Sequence, residues 1–281
     1  MSAQLPTQPV ATSLATAHVK LDAGNPRRLT LYIDSVPSSH VDLDDPTYLE
    51  FEYMQWFAAA INSWFGSGNE VLGPRMRGLH LGGGGCTMAR YLSHQFPGSH
   101  HTAVEIDEKL AALVRQWFDL PRSPQVKIRV ADARDVLDTT RHSGWEVIIR
   151  DAFTDAEVPR NLVGVDAIED VYRALAPDGL YLANCADHPP LPKARREVAT
   201  LQTVFGDAVA LAAEPGQLRG RRFGNVLLIA AKDGDRLREV IPQIARALRS
   251  TPVPARVLYA QELKTFAGTA AIYSQIKSNE D

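Results

Sequence analysis

Short segments near the start of the chain alternate hydrophobic and polar residues with the two-residue period of β-strands. Residues 17–22 and 28–34 follow this pattern around a Gly-Asn-Pro turn, and residues 39–43 offer a third strand. The arrangement predicts a small antiparallel β-unit. Hydrophobic residues at helical spacing then fill 48–65, so a helix is expected to follow.

Strand and helix patterns alternate along the rest of the chain. Predicted strands lie at 77–81, 102–107, 126–131, 145–151, 180–184, 208–213 and 225–231. Predicted helices lie at 87–96, 108–118, 167–175, 193–205 and 236–248. Alternating β and α units with short connections predict a mainly parallel sheet covered by helices on both faces. The expected fold class is α/β, with a Rossmann-like, seven-stranded sheet of the methyltransferase type after the small β-unit.

The pattern divides the chain into four parts. We expect a flexible tail at 1–14, the β-unit and its helix at 15–66, the Rossmann-like domain at 67–250 and a C-terminal extension at 251–281. The extension is weakly patterned, and a helix with a frayed end is the expectation there.

Composition narrows the class of protein. The chain has 281 residues, 45% of them hydrophobic, and a formal net charge of −3. These values are ordinary for a globular protein and give no general attraction to nucleic acid or anionic membranes. Cys86 and Cys185 make no disulfide framework, metal-site spacing is absent, and no apolar run is long enough to span a bilayer. We expect a cytoplasmic protein without a metal, and without a nucleic-acid or membrane partner.

A glycine run follows the first strand of the predicted large sheet. Gly82, Gly83, Gly84 and Gly85 stand between that strand and the next helix. Glycine permits backbone angles that are closed to other residues and lets a ligand approach the main chain closely. Glu105 ends the following strand roughly twenty residues later, which suits an acid that binds ribose hydroxyls. These residues predict a nucleoside site.

Two common nucleotide motifs are absent. The sixth position of G-x-G-x-x-G is Thr87, and no Walker lysine follows the glycines. S-adenosylmethionine or its decarboxylated form needs ribose and adenine contacts but no pyrophosphate site, and therefore fits better. Asp132 and Ala133 follow the third strand of the large sheet, where they could contact the adenine. The alternative is that Asp132 caps the next turn.

Carboxylates after the fourth strand of the large sheet are candidates for catalysis. Asp151 ends that strand, and Asp155 and Glu157 follow in a loop. A carboxylate there can hold an ammonium group or take a proton from an attacking amine, which needs a free lone pair to react. Burial would raise the pKa of Asp151 and make it a better base. For Asp155 and Glu157, a capping or solvated role remains an open alternative.

Four short segments carry a family resemblance. Residues 31–34 read L-Y-I-D, residues 104–107 read V-E-I-D, Asp132-Ala133 reads D-A, and Asp151 opens the acidic loop. They resemble the L-x-L-D, V-E-I-D, D-A and D-x-x-D motifs of the spermidine/spermine synthase family, the aminopropyltransferases. The similarity extends from about residue 29 to residue 231.

The resemblance implies a transferase of polyamine biosynthesis. Its donor would be decarboxylated S-adenosylmethionine, its acceptor a small amine, and its assembly a homodimer. Cofactor contacts are implied at Gly82, Gly83, Gly84, Gly85, Glu105, Ile106, Asp132 and Ala133. Catalysis is implied at Asp151 and Asp155. Trp56 and Trp64 on the predicted helix would be core or subunit interface.

The chain departs from the family where the chemistry takes place. The aspartate of the family's G-G-G-D-G-G, which would hold the donor's amino group, is Gly85 here, and the glutamine after L-D-G is Ser38. The tyrosine-histidine-glutamate signature is not present as such within 48–53, and Asp155 lies one residue later than the second aspartate of D-x-x-D. The cofactor half of the site is therefore kept better than the polyamine half.

Three functions are open at this point. The first is an aminopropyltransferase-like enzyme in which Asp151 helps to deprotonate the amine. The second is an S-adenosylmethionine-dependent methyltransferase, because Gly85 removes a negative charge near the donor's tail. The third is a non-catalytic nucleoside-binding or assembly protein of the same fold.

Overall fold

The N-terminal part of the chain forms a small antiparallel sheet. A computed structural model describes residues 5–66, 76–154 and 157–274. The sheet has the order β1-β2-β3-β4. Its strands are β1 (Val10–Ala11), β2 (Thr16–Leu21), β3 (Arg28–Ile33) and β4 (Val36–Asp42). The sequence predicted the last three of these but not β1, which falls in the segment expected to be a flexible tail.

The second sheet has eight strands in the order β12-β10-β11-β9-β8-β5-β6-β7. They are β5 (Arg77–Leu81), β6 (His100–Glu105), β7 (Val126–Val130), β8 (Trp145–Arg150), β9 (Leu175–Asp187), β10 (Val209–Ala213), β11 (Gly224–Ala231) and β12 (Arg256–Tyr259). Strands β5 to β9 pair in parallel, whereas β10, β11 and β12 join as antiparallel neighbours. The α/β fold with a mostly parallel central sheet and a small N-terminal sheet is thereby confirmed.

The prediction of seven strands was wrong by one strand at the edge of the sheet. Strand β12 has four residues and pairs antiparallel with β10, with Leu258 opposite Leu211. A strand this short shows too few alternations to be recognised in a sequence. The strand predicted at 180–184 is also longer in the structure, since β9 pairs with β8 between residues 175 and 183 and with β11 between residues 180 and 187.

Helices connect the strands and cover the sheet. They are α1 (Glu52–Phe65), α2 (Thr87–Gln95), α3 (Glu108–Trp117), α4 (Ala133–Thr139), α5 (Val165–Ala174), α6 (Pro192–Phe205), α7 (Pro215–Leu218), α8 (Gly234–Arg249) and α9 (Ala260–Ala267). Helix α1 begins later than the predicted residue 48. The sequence missed α4 and α7, which have two turns or fewer and show little periodicity. Within the described part of the chain, no helix is long and apolar enough to cross a membrane.

Helix α1 belongs to the core. Trp56 is fully buried and Trp64 is 2% exposed. Their indole N–H groups donate to the carbonyls of Val253 and Asp178, at 2.9 and 2.8 Å. Helices α1, α2 and α8 pack together on one face of the large sheet, and α5, α6 and α9 on the other. The aromatic side chains of α1 are therefore core residues. The division of the chain into four parts stays a prediction.

Candidate functional site

The glycine run lies where the strand order reverses. Strand β5 has β6 on one side and β8 on the other, so the chain leaves β5 at a topological switch point. In open α/β sheets, ligands bind in the crevice outside the carboxyl ends of the strands at such a point. Gly82 and Gly84 have φ values of 101° and 45°, and Cys86 enters α2 with a φ of 57°. Glycine adopts such positive φ values at low cost.

The glycine run separates two carboxylate-bearing strand ends. A Cβ atom at Gly82 would lie 2.4 Å from the carbonyl oxygen of Asp151. A Cβ atom at Gly83 would lie 2.9 Å from Cβ of Glu105. Side chains at these two positions would thus collide with the ends of β8 and β6. The fold brings Glu105 and Asp151 to opposite sides of the glycines, as expected for adjacent parallel strands.

The carboxylate of Glu105 points at the glycine run. Its Oε2 accepts from the backbone N–H of Gly84 at 2.9 Å, and its Oε1 accepts from that of Asp107 at 3.0 Å. Burial raises the pKa of Glu105, although these backbone hydrogen bonds act in the opposite direction. A backbone hydrogen bond from Gly83 also lowers this pKa, which leaves fewer lone pairs on the carboxylate for a ligand. The ribose role of Glu105 stays a prediction with favourable geometry.

An apolar surface lies beside Glu105. Ile106 is 57% exposed, and Val130, which stands opposite Glu105 in the β6–β7 pairing, is 49% exposed. Asp132 is the N-cap of α4, where its Oδ1 accepts from the N–H of Arg134 at 2.6 Å, and Ala133 is the first helical residue. The capping interpretation of Asp132 is thus confirmed, whereas adenine contacts by Ile106, Asp132 and Ala133 stay predictions.

Two neutral side chains hold Asp151. The hydroxyl of Tyr53 donates to its Oδ2 at 2.9 Å, and the amide of Asn184 donates to its Oδ1 at 3.1 Å. Burial raises the pKa of Asp151, although both hydrogen bonds oppose that shift. The sequence did not identify Tyr53 or Asn184. Periodicity shows which face of a helix or strand is buried, but not which side chains of other elements that face contacts.

Of the other two acidic loop residues, the structure describes Glu157. Asp155 lies outside the described residues. Glu157 is exposed and forms an ion pair with Lys193 at 2.8 Å. The solvated interpretation of Glu157 therefore fits its surroundings.

Ser39 occupies the space beside Gly85. Its Oγ accepts from the N–H of Gly85 at 2.8 Å. A Cβ atom at Gly85 would lie 2.7 Å from Cβ of Ser39 and 3.2 Å from the ring of Phe118. Strand β4 is therefore packed against position 85, where the resemblance would place an aspartate side chain. Gly85 is a structural requirement of this contact.

A small pocket connects this region to Asp151. It is lined by residues of β4, α1, β5, the glycine run, α2, β6 and β8, namely Ser38, Ser39, Met54, His80, Gly82, Gly83, Gly84, Cys86, Thr87, Met88, Ala89, Ala103, Ile149 and Asp151. Burial lowers the pKa of His80 to about 3 and raises that of Cys86 to about 12, so both are neutral at pH 7. Among these described lining residues, Asp151 is the one carboxylate. Nowhere in the described part of the chain do three or more His, Cys, Asp or Glu side chains form a metal-binding group.

The chain is similar to proteins named as aminopropyltransferases or spermidine synthases. No protein-family model matches the chain. A polyamine aminopropyltransferase of Neisseria meningitidis is 29% identical over 210 residues, which cover 74% of this chain and 73% of the relative. The crystal structure of a probable spermidine synthase from Corynebacterium glutamicum superposes with a TM-score of 0.88, at 36% identity over 99% of both chains.

Two further proteins are less similar to this chain. A spermidine synthase in complex with the transition-state analogue AdoDATO has a TM-score of 0.58 at 16% identity, covers 94% of this chain and 83% of its own, and shows the fold alone. A human eEF1A lysine and N-terminal methyltransferase is 27% identical over 122 residues, or 39% of this chain and 18% of its own. Methyltransferases thus match more weakly than aminopropyltransferases. The chain belongs to the spermidine synthase family.

Proposed function

We propose that this protein transfers an aminopropyl group from decarboxylated S-adenosylmethionine to a small amine. The observation that carries the proposal is the placement of Asp151. It lies across the glycine run from Glu105, with its two oxygens held by Tyr53 and Asn184. The names of the similar aminopropyltransferases support the same reaction.

The donor's nucleoside would lie over the glycine run. Glu105 would bind the ribose hydroxyls through its remaining lone pairs, and exposed Ile106 would cover one face of the adenine. The start of α4 at Asp132 and Ala133 would border the adenine edge. This placement would direct the sulfonium end of the donor toward the pocket that Asp151 lines.

Asp151 would then act on the acceptor. The nitrogen lone pair of the amine forms a C–N bond to the methylene carbon next to the sulfonium, while the C–S bond breaks and its electron pair stays on sulfur. One proton of the attacking nitrogen passes to the carboxylate of Asp151. The products are methylthioadenosine and an aminopropylated amine. The raised pKa of Asp151 brings it closer to the operating pH and favours this proton transfer.

One observation favours methyl transfer as a second candidate. Position 85, where the family's aspartate would hold the donor's amino group, is a glycine without a carboxylate, and Ser39 fills the adjacent space. Both donors carry an ammonium group, but intact S-adenosylmethionine also carries a carboxylate at its tail. A site with no negative charge at position 85 repels that carboxylate less than a site with an aspartate there.

Product analysis tests these candidates. The purified protein is incubated with 1,4-diaminobutane and either decarboxylated or intact S-adenosylmethionine, and the products are identified by mass spectrometry. Formation of methylthioadenosine and the aminopropylated amine is expected, as is a loss of at least 100-fold in rate for Asp151→Asn. Asp235→Asn, an exposed first-turn acid of α8, is the control. S-adenosylhomocysteine would favour the methyltransferase, and no product from either donor would favour a non-catalytic role.

We also propose a cytoplasmic homodimer. Cys86 and Cys185 are both buried and unpaired, which suits a reducing compartment. The aromatic face of α1 is used in the core, so a dimer would form through another surface. Sedimentation velocity at micromolar concentration tests the assembly, and a monomer would contradict it.

A further inference from the structure

A buried ion pair lies at the carboxyl end of β8. Arg150 is 1% exposed, and Glu197 on α6 is 6% exposed. The Nη2 atom of Arg150 lies 2.7 Å from Oε2 of Glu197. A guanidinium group keeps its proton at every pH at which proteins are folded. A permanent positive charge therefore stands next in sequence to Asp151, and the transfer step described above gives it no role.

The ion pair and the carboxylate of Asp151 lie on opposite faces of the sheet. Successive residues of a strand point to opposite faces, and their Cα atoms are about 3.8 Å apart. Asp151 accepts from Tyr53 of α1 on one face, whereas Arg150 donates to Glu197 of α6 on the other. Arg150 is not among the residues that line the pocket of Asp151. It is thus placed to act on Asp151 without contacting a substrate.

Arg150 also bonds the part of β9 that holds Asp151. Its Nη2 donates to the backbone carbonyl of Asn184 at 3.0 Å, and the amide of Asn184 donates to Oδ1 of Asp151 at 3.1 Å. The paired register of β8 and β9 ends at Arg150 and Ala183, so Asn184 lies one residue beyond it. The guanidinium therefore joins the two strands at the point where their register stops. A change at Arg150 would reach Asp151 through Asn184.

Stability alone does not explain a charged pair at this position. Burial of two charges is costly, and well-packed hydrophobic residues of similar volume often stabilise a protein as much or more. The Nε and Nη1 atoms of Arg150 have no hydrogen-bond partner among the residues that the structure describes, which adds to the cost. Its neighbours in the register, Leu81 and Ala183, are apolar. A hydrophobic side chain would therefore suit this part of the core better than an arginine.

We propose that Arg150 is a positioning residue that fixes Asn184 against Asp151 and favours the ionised form of Asp151 by its charge, while Glu197 moderates that charge. The inference rests on the proposed amine-transfer function. The ionised carboxylate is the form that takes a proton from the attacking amine. Burial raises the pKa of Asp151, whereas the hydrogen bonds from Asn184 and Tyr53 and the charge of Arg150 act in the opposite direction.

The other groups that face Asp151 are neutral at pH 7. They are Tyr53 from α1, Asn184 from β9, His80 from β5 and Cys86 at the start of α2. Burial lowers the pKa of His80 to about 3 and raises that of Cys86 to about 12. Burial also raises the pKa values of Tyr181 and Cys185, which act on Arg150 from β9. Arg150 and Glu197 thus bring charge to neutral surroundings.

The test follows the ionisation of Asp151 without requiring turnover. Protein that is isotope-labelled at the side-chain carboxyl carbons of its aspartates is titrated by NMR, and the Asp151 signal is the one missing from Asp151→Asn. Arg150→Met combined with Glu197→Leu should raise the pKa of Asp151 by at least about 0.5, because a nearby positive charge is lost. Glu197→Gln should lower this pKa, because Arg150 then acts without its counter-charge. A merely structural role of the pair would not produce opposite shifts.

An ion pair at the other end of β8 supplies the control. Arg77 and Glu146 are joined at 2.9 Å near the starts of β5 and β8. Arg77→Met combined with Glu146→Gln removes both charges and keeps an acceptor for the N–H of Arg77. This variant should leave the pKa of Asp151 unchanged.

The rate of amine transfer supplies a second readout. Removal of the Arg150–Glu197 pair should lower kcat for transfer to 1,4-diaminobutane by about 10-fold or more, with a smaller change in KM, because Asn184 no longer fixes the base. The loss should grow as the pH falls toward the raised pKa of Asp151, since less of the carboxylate is then ionised. The control variant should keep the rate of the unsubstituted protein.

The outcomes separate this inference from the proposed function. If the unsubstituted protein forms no aminopropylated product, the proposed function falls, and the role of Arg150 in transfer falls with it. If product forms but the pKa of Asp151 stays the same in both variants, or moves in the same direction in both, the inference is overturned and the proposed function stands. Should the double variant fail to fold, Glu197→Gln decides alone, because an unchanged or raised pKa of Asp151 contradicts the inference. Urea unfolding shows whether a lower rate merely follows a loss of stability.

Discussion

Asp107 links the N-terminal segment to the nucleoside site. Its carboxylate caps α3 by accepting from the N–H of Leu110 at 2.9 Å. It also accepts from the N–H groups of Ser13 and Leu14, at 3.0 and 2.9 Å. Burial opposes ionisation, yet these hydrogen bonds together with one from Thr12 lower the pKa of Asp107 to about 2. Its own N–H holds Glu105, so one residue connects the tail, a helix and the predicted ribose ligand.

Asp107→Asn should destabilise the protein by about 2 kcal/mol at pH 7, because an amide cannot accept from three N–H groups as an ionised carboxylate does. A pKa lowered by folding contributes stability that is present above the unfolded value of 3.8 and is lost as pH falls toward 2. The difference between the two proteins should therefore be roughly halved at pH 3. Urea unfolding at pH 7 and pH 3 measures it. A difference that does not change with pH would contradict the role assigned to the ionised form.

At the scale of elements, long periodic segments and strand ends were predictable. The glycine run, Glu105 and Asp151 were placed correctly at one edge of the sheet, since parallel strands bring their carboxyl ends together. Helix α4 and strand β12 were not predicted, because seven and four residues contain too little periodic signal. Tyr53 was assigned to a buried helix face, but its contact with Asp151 depends on tertiary packing that periodicity does not contain.

Because β4 contacts the glycine run at Gly85, replacing Gly85 by a residue with a side chain should destabilise the protein. Gly85→Asp should destabilise the protein by about 1–3 kcal/mol, because its Cβ would lie 2.7 Å from that of Ser39 in a buried position. Ser39→Gly removes that obstacle, so the double variant should be more stable than the sum of the single effects predicts. A double-mutant cycle from urea unfolding measures the coupling, which should exceed about 1 kcal/mol.

The double-mutant cycle can also contradict this prediction. Additive effects of the two substitutions would mean that Ser39 does not limit the residue at position 85. Ser38→Gly is the matched control, since Ser38 neighbours Ser39 but donates its hydroxyl to the carbonyl of Val36, and the three atoms nearest to a Gly85 Cβ belong to Ser39 and Phe118. It should show no coupling with Gly85→Asp.

At the scale of the whole molecule, the small sheet is attached to the large domain through the site. Thr87 and Arg90 of α2 donate to the carbonyls of His40 and Asp42 on β4, at 2.9 and 2.6 Å. Hydrophobic residues of β2 and β3 pack with α3, in a cluster that includes Trp117. Strand β4 thus bonds both the glycine run and α2, and the N-terminal part of the chain supports the predicted nucleoside site.

Removal of residues 1–14 tests this support. The deletion removes β1, which pairs with β2, and the Thr12, Ser13 and Leu14 donors to Asp107. We expect a loss of about 2–4 kcal/mol, from three hydrogen bonds to one carboxylate, and a Tm lower by several degrees. We also expect weaker binding of methylthioadenosine, because the Asp107 N–H orients Glu105. Removal of residues 1–4 leaves Leu5, β1 and the three donors in place and should leave Tm and nucleoside affinity unchanged. Equal stability and equal affinity of the two truncated proteins would mean that the segment is a flexible tail after all.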